Sequence, residues 1–133
     1  SEPFVLACRR DHELAGRSAV TWSELSDYRL IGVGRLSGNR MLLDHALSGL
    51  SWRPQWFYEV QHLSTSLGLV EAGLGVSAMP SLSMPAEDHP TLVSVPLIEP
   101  VVNRSLGFVY RRGSSLSPAA EKFVSILLEQ WPQ

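Results

Sequence analysis

In the stretch EVQHLSTSLGLVEAGLGVSAMP, Glu59 to Pro80, three small hydroxyl residues, Ser64, Thr65 and Ser66, stand in a row behind His62. They lie where an apolar run, WFYEV, gives way to a segment with helical spacing. Hydroxyls at a helix start can cap the unpaired N–H groups of the first turn, and they can donate to a carboxylate or hydroxyl of a bound molecule. A second polar stretch, GVGRLSGNR from Gly32 to Arg40, occupies the same place after the preceding apolar run. Capping alone would explain each Ser or Thr taken singly. Two such loops on one edge of a sheet are what points to a ligand, because open α/β sheets bind small molecules outside the carboxyl ends of their strands.

Other chemistries fit the residues less well. Gly32, Gly34 and Gly38 give the spacing G-x-G-x-x-x-G, one residue longer than the dinucleotide fingerprint, although Glu59 ends the next strand as that fingerprint would want. His12, His45, His62 and His89 form no i, i+4 pair and Cys8 stands alone, so no metal is expected. No G-x-S-x-G nucleophile elbow occurs. No cofactor is expected. Arg9 or Arg111, each in an arginine pair ending an apolar run, is either a solvated strand end or an anion-attracting border of the cleft. Met41 and Leu42 read as a subunit contact or as ordinary surface residues.

The elements that must position these loops alternate between two periods. FVLAC (Phe4–Cys8), YRLIGVG (Tyr28–Gly34), PQWFYEV and GVSAMP read as strands. A short helix is expected at TWSEL, where Thr21 and Glu24 form a capping box. Helices are expected over SGNRMLLDHALSG, with Ser37 as N-cap and Gly49 as terminator, and over STSLGLVEAG. Four of the nine prolines fall between Ser81 and Pro100, a meandering connection with one short strand near LVSVPL. RSLGFVYRR reads as a strong strand, and SPAAEKFVSILLEQW as a final helix capped by Ser117 with Pro118 at its first position. Near-continuous apolar strands alternating with helices predict an α/β fold, with a mixed, mostly parallel sheet covered by helices on both faces.

Composition bounds the function. The 133 residues are 44% hydrophobic and 18% charged, which is globular and ordered in type. The net charge is −2, and only Lys122 among 11 cationic residues is a lysine, so no basic stripe exists to grip nucleic acid. No apolar run reaches the roughly 20 residues that span a bilayer, so no membrane partner is expected. A single cysteine forbids an internal disulfide and is compatible with a reducing, cytoplasmic compartment. The absence of an initiator Met, with immediate entry into a buried-strand pattern, suggests a piece of a longer polypeptide.

The segment EVQHLSTSLGLVEAGLGVSAMP resembles the effector-binding (substrate-binding) domain of LysR-type transcriptional regulators: an acid, a polar T-x-L-G-L-V helix start, then A-G-x-G-V and a strand ending in Pro. FVLACRRDHELA is similar to that family's strand and HPLA-type turn, with Glu13 in place of Pro, and VPLIEPVVNRSLGFVYRRGSSLSPAAEKFVSIL resembles its return strand and closing helix. The resemblance implies a lobe of the periplasmic-binding-protein-like type 2 fold. Residues 1–9 would be a crossing strand, 10–97 the second regulatory lobe, and 98–133 the return strand and C-terminal helix of the first lobe. It implies a small, anionic effector, a carboxylate by preference, bound between lobes without catalysis. The contacts carry over to Ser37, Gly38, Asn39 and Arg40 beside Gly34, and to His62, Leu63, Ser64 and Thr65. DNA binding would belong to a winged helix that this chain does not contain. Most of the first lobe is likewise outside it, so Phe123, Ile126 and Leu127 of the last helix would need another cover. A homodimer, or exchange of strand and helix between copies, is expected to supply it. A solute receptor of the same architecture and a nucleotide-dependent enzyme using GVGRLSG are the competing readings.

Overall fold

The computed structural model describes residues 1–131. Its centre is strand β1, Glu2–Arg9, whose side chains are buried on both faces. Successive residues alternate sides. Phe4, Leu6 and Cys8 join one core with Leu30, Val76, Val95 and Trp22. The remaining strands are β2 (Val20–Thr21), β3 (Leu30–Val33), β4 (Trp56–Val60), β5 (Val76–Pro80), β6 (Leu92–Ile98) and β7 (Asn103–Arg104). They form one sheet in the order β2-β6-β1-β5-β3-β4, with β7 added at the start of β1. Strand β1 is antiparallel to β5, β6 and β7, whereas β2 runs parallel to β6, and β3 parallel to both β4 and β5. One strand therefore runs against all the others, and the sheet is mixed but mostly unidirectional, as the sequence implied.

The helices are α1 (Gly38–Ala46), α2 (Leu63–Glu71) and α3 (Pro118–Gln130). Leu43 of α1 and Leu47, which caps its end, pack on the larger core, and Val70 of α2 packs with Ile31 and Leu92 on a second one. Because Leu30 and Ile31 are neighbours on β3, these two cores lie on opposite faces of the sheet. A 3-10 helix over Trp22–Asp27 carries the expected capping box: the Thr21 side chain accepts from the Glu24 N–H, and Glu24 accepts from the Thr21 N–H. At the end of α2, Gly73 takes φ 83°, a left-handed conformation that favours glycine. Its N–H donates to Val70 and that of Leu74 to Leu69, which closes the helix in a Schellman motif. Gly32 in β3 lies under the Trp56 indole, where a Cβ would come within 2.4 Å of the ring.

Two expectations change. Gly49 does not terminate α1: the helix ends at Leu47 and passes into a turn in which Ser48 and Leu50 donate to His45 and Leu47. The strand expected near LVSVPL does form, as β6, and pairs with β1 along Val5–Arg9. RSLGFVYRR is not a strand: only Asn103 and Arg104 pair, opposite Pro3 and Glu2. The reason is register: Arg104 lies opposite Glu2, the first residue of β1, so an antiparallel continuation passes the start of β1 instead of running along it. The run beyond Arg104 finds no free ladder there. Val109 is 98% exposed, and Phe108 and Tyr110 stand in solvent. Helix α3 is capped by Ser117, whose hydroxyl accepts from the Ala120 N–H, yet none of its residues is buried. A groove of about 400 Å³ separates it from Leu106–Phe108.

Candidate functional site

The parallel pair β3 and β4 sets the site. Val33 lies opposite Val60 in register, so both strands end at the same level. The chain then leaves β3 for α1 on one face and leaves β4 for α2 on the other. That divergence between adjacent parallel strands is a topological switch point, the place where open α/β sheets leave a crevice. Residues 34–40 and 62–65 thus share one rim, and the first of these loops is tied to the end of β4: the Gly34 N–H donates to the Val60 carbonyl at 3.0 Å.

Both helices start without side-chain caps. Ser37 is the N-cap of α1 and His62 the N-cap of α2, and neither makes a capping hydrogen bond. Elsewhere in the chain Thr21 and Ser117 do cap their helices. The Thr65 N–H donates to the His62 carbonyl at 3.1 Å, but the N–H groups of Gly38 and Asn39 in α1 and of Leu63 and Ser64 in α2 are left for solvent or a ligand, and each helix end carries about half a positive charge. Gly38, His62, Ser64 and Thr65 are exposed, while Gly34, Ser37, Asn39 and Leu63 are half-buried. This arrangement favours an oxyanion over a cation or an apolar group. The row of three hydroxyls divides: Ser64 and Thr65 face solvent, whereas Ser66 is enclosed and its Oγ has no hydrogen-bond partner among the described residues.

Arg40 plays a different part from its neighbours. Its side chain is 8% exposed. Nε donates to Asp44 at 3.0 Å, and Nη1 donates to Glu59 at 3.1 Å and to the Val33 carbonyl at 3.3 Å. The guanidinium also lies 4.8 Å from the centre of a Trp56 ring. It fastens the first turn of α1 to the ends of β3 and β4. The same contacts engage the Glu59 carboxylate, the acid that a nucleotide ribose would have needed.

Two residues at this edge escaped sequence reasoning. Because β1 runs backwards, its first residues lie beside the end of β5: Phe4 is paired with Pro80. Glu2 is buried there, 4% exposed, and it is ion-paired with Arg104. Arg104 in turn donates to Asn39 Oδ1 at 3.1 Å. Arg9, at the far end of β1, bonds Asp11 and the Glu71 carbonyl, away from the rim. Arg111 is exposed beyond the last paired residue. Among the described residues no group of three or more potential metal ligands occurs, and no helix is long and apolar enough to cross a membrane.

Comparison with known proteins gives the following likenesses. The LysR substrate binding domain family matches residues 1–132. The HTH-type transcriptional regulator YbhD of Escherichia coli (strain K12), itself uncharacterized, is 54% identical over 131 residues, which cover 98% of this chain and 41% of that protein. The chain thus spans about two-fifths of the length of this curated relative. The reduced form of OxyR superimposes with a TM-score of 0.66 at 28% identity, over 94% of this chain and 57% of that one. The effector binding domain of QuiR in complex with shikimate superimposes with a TM-score of 0.70 at 24% identity, over 96% and 60%. The last likeness concerns the fold, which is that of a periplasmic-binding-protein-like lobe.

Proposed function

The chain belongs to the LysR substrate binding domain family, and from that premise we propose that it binds a small anionic effector on the 34–40 and 62–65 rim, without catalysis. The observation that carries this is the pair of uncapped helix N-termini set side by side at a switch point. Their unpaired N–H groups, with Ser37, Asn39, Ser64 and Thr65, offer donors and no acidic group on either helix's first turn. A carboxylate suits them, and QuiR, bound to shikimate, sets a precedent of ligand size. Ligand contacts would then come from Gly34, Ser37, Gly38, Asn39, His62, Leu63, Ser64 and Thr65, with Arg40 supporting them from beneath.

Residues 10–97 act in this reading as one regulatory lobe, 1–9 as a crossing strand, and 98–133 as the return to a neighbouring lobe. The full-length protein is a bacterial, cytoplasmic transcription regulator whose DNA contacts lie outside this chain. Its apolar residues Phe108, Val109, Phe123 and Leu128, all more than 40% exposed, are covered by a second copy or by the adjoining part of the polypeptide. Calorimetric titration of the full-length protein with succinate, benzoate, shikimate and inorganic phosphate, against NAD and ATP, tests the effector reading. Binding of at least one of the four small anions is expected. Binding of the nucleotides alone would refute it.

A further inference from the structure

Glu2 is the one acidic side chain buried among the described residues, and its environment is built from four separate pieces of chain. Its Oε2 accepts the Leu82 N–H at 2.8 Å and the Ser81 hydroxyl at 3.4 Å, in the turn after β5. Its Oε1 accepts from Arg104 Nε, across the β1–β7 pairing. The second branch of the Arg104 fork holds Asn39 Oδ1, in the first turn of α1. Burying a carboxylate without such partners would carry a large desolvation cost. With Oδ1 engaged, Asn39 keeps its Nδ2 donors beside the unpaired N–H groups of that turn. One guanidinium therefore joins the returning strand to the helix start at which an anion would bind. Planarity lets it hold two acceptors at once, which a lysine cannot do.

We propose that Arg104 is a positioning residue of the effector rim, acting through Asn39. It orients the first turn of α1 for an anion and ties that turn to the β1–β7 pair, so that occupancy of the rim is felt by the strand returning to the rest of the protein. This rests on the effector reading above. Neither residue of the ion pair lies on the two rim loops themselves, and the link is made by side chains more than 60 positions apart.

The test is calorimetry on the full-length protein with succinate, benzoate, shikimate and inorganic phosphate, using R104Q, N39A, R104Q/N39A, R104K and E2Q/R104Q. R104Q should weaken whichever anion the wild type binds by roughly tenfold or more, the loss of a charged hydrogen bond. N39A should cost as much, and R104Q/N39A no more than either alone, since the two act in series. R104K should recover only part. E2Q/R104Q removes the orphaned buried carboxylate, so its thermal stability should return towards wild type while binding stays weak. Additive losses, an R104Q protein that binds like wild type, or recovery of binding in E2Q/R104Q would each overturn the proposal and leave the effector reading standing. A wild-type protein that binds none of the four would sink both.

Discussion

Replacing Arg40 by methionine separates a residue that builds the rim from one that reads the ligand. The substitution keeps an apolar stem against Trp56 and removes the guanidinium. Asp44 and Glu59 remain 54% and 44% exposed, so each rehydrates once its partner is gone. The cost is then not that of an orphaned buried charge. Two partly exposed ion pairs contribute roughly 0.2–1 kcal/mol each. The bond to the Val33 carbonyl adds roughly 0.5–1.5 kcal/mol, and the ring contact roughly 0.5–2 kcal/mol. Methionine restores a little by burial, and a net loss of about 2–4 kcal/mol is expected. Urea unfolding should show it as a lower midpoint at unchanged slope. Anion affinity, measured well below the new melting temperature, should change less than it does on removing Asn39. A loss under about 1 kcal/mol would mean that the contacts of Arg40 are idle. Unchanged stability with abolished binding would mean that Arg40 touches the ligand directly, and the division of labour drawn above would be wrong.

Three further outcomes follow from the geometry. Burial pushes the Cys8 thiol up to about 11 from an ordinary value of 9.0. The folded state therefore favours the protonated form: this stabilisation is complete below pH 9 and is lost as pH rises towards 11. Native Cys8 should resist thiol reagents at neutral pH, and C8A should flatten the alkaline decline in stability; fast labelling of the folded protein would contradict the burial. Gly73→Ala forces a side chain into a left-handed conformation and should cost roughly 1–2 kcal/mol in thermal unfolding. Thr21→Ala should cost roughly 0.5–2 kcal/mol. Its partner Glu24 is held below the usual carboxylate range by the Thr21 N–H, Arg17 and the Thr21 hydroxyl. That contribution is present above the unfolded value and fades as pH falls through the folded one, so the wild-type advantage over T21A should shrink in acid.

How far the sequence could be read depended on whether a feature was local. The capping box at Thr21 and the Ser117 cap each involve residues three apart, and both formed as their spacing required. The rim was legible for a related reason. Two apolar runs followed by helices predict parallel strands, and parallel strands bring their exits to one edge whatever the rest of the chain does. The Glu2–Arg104–Asn39 contacts had no such signal, because they depend on β1 being reversed against every neighbour, a fact of pairing between distant segments. The same pairing explains the wrong strand at RSLGFVYRR. Its composition is that of a strand, but composition cannot report that the β1–β7 register carries the run past the start of β1. An apolar run with no ladder to join must find its partner elsewhere. Leu106, Phe108 and Tyr110, all at least 41% exposed here, should therefore become protected from solvent in the full-length protein. Hydrogen exchange over residues 105–110 as fast as that of an unfolded peptide would show that this segment never pairs, and that the return strand ends at Arg104.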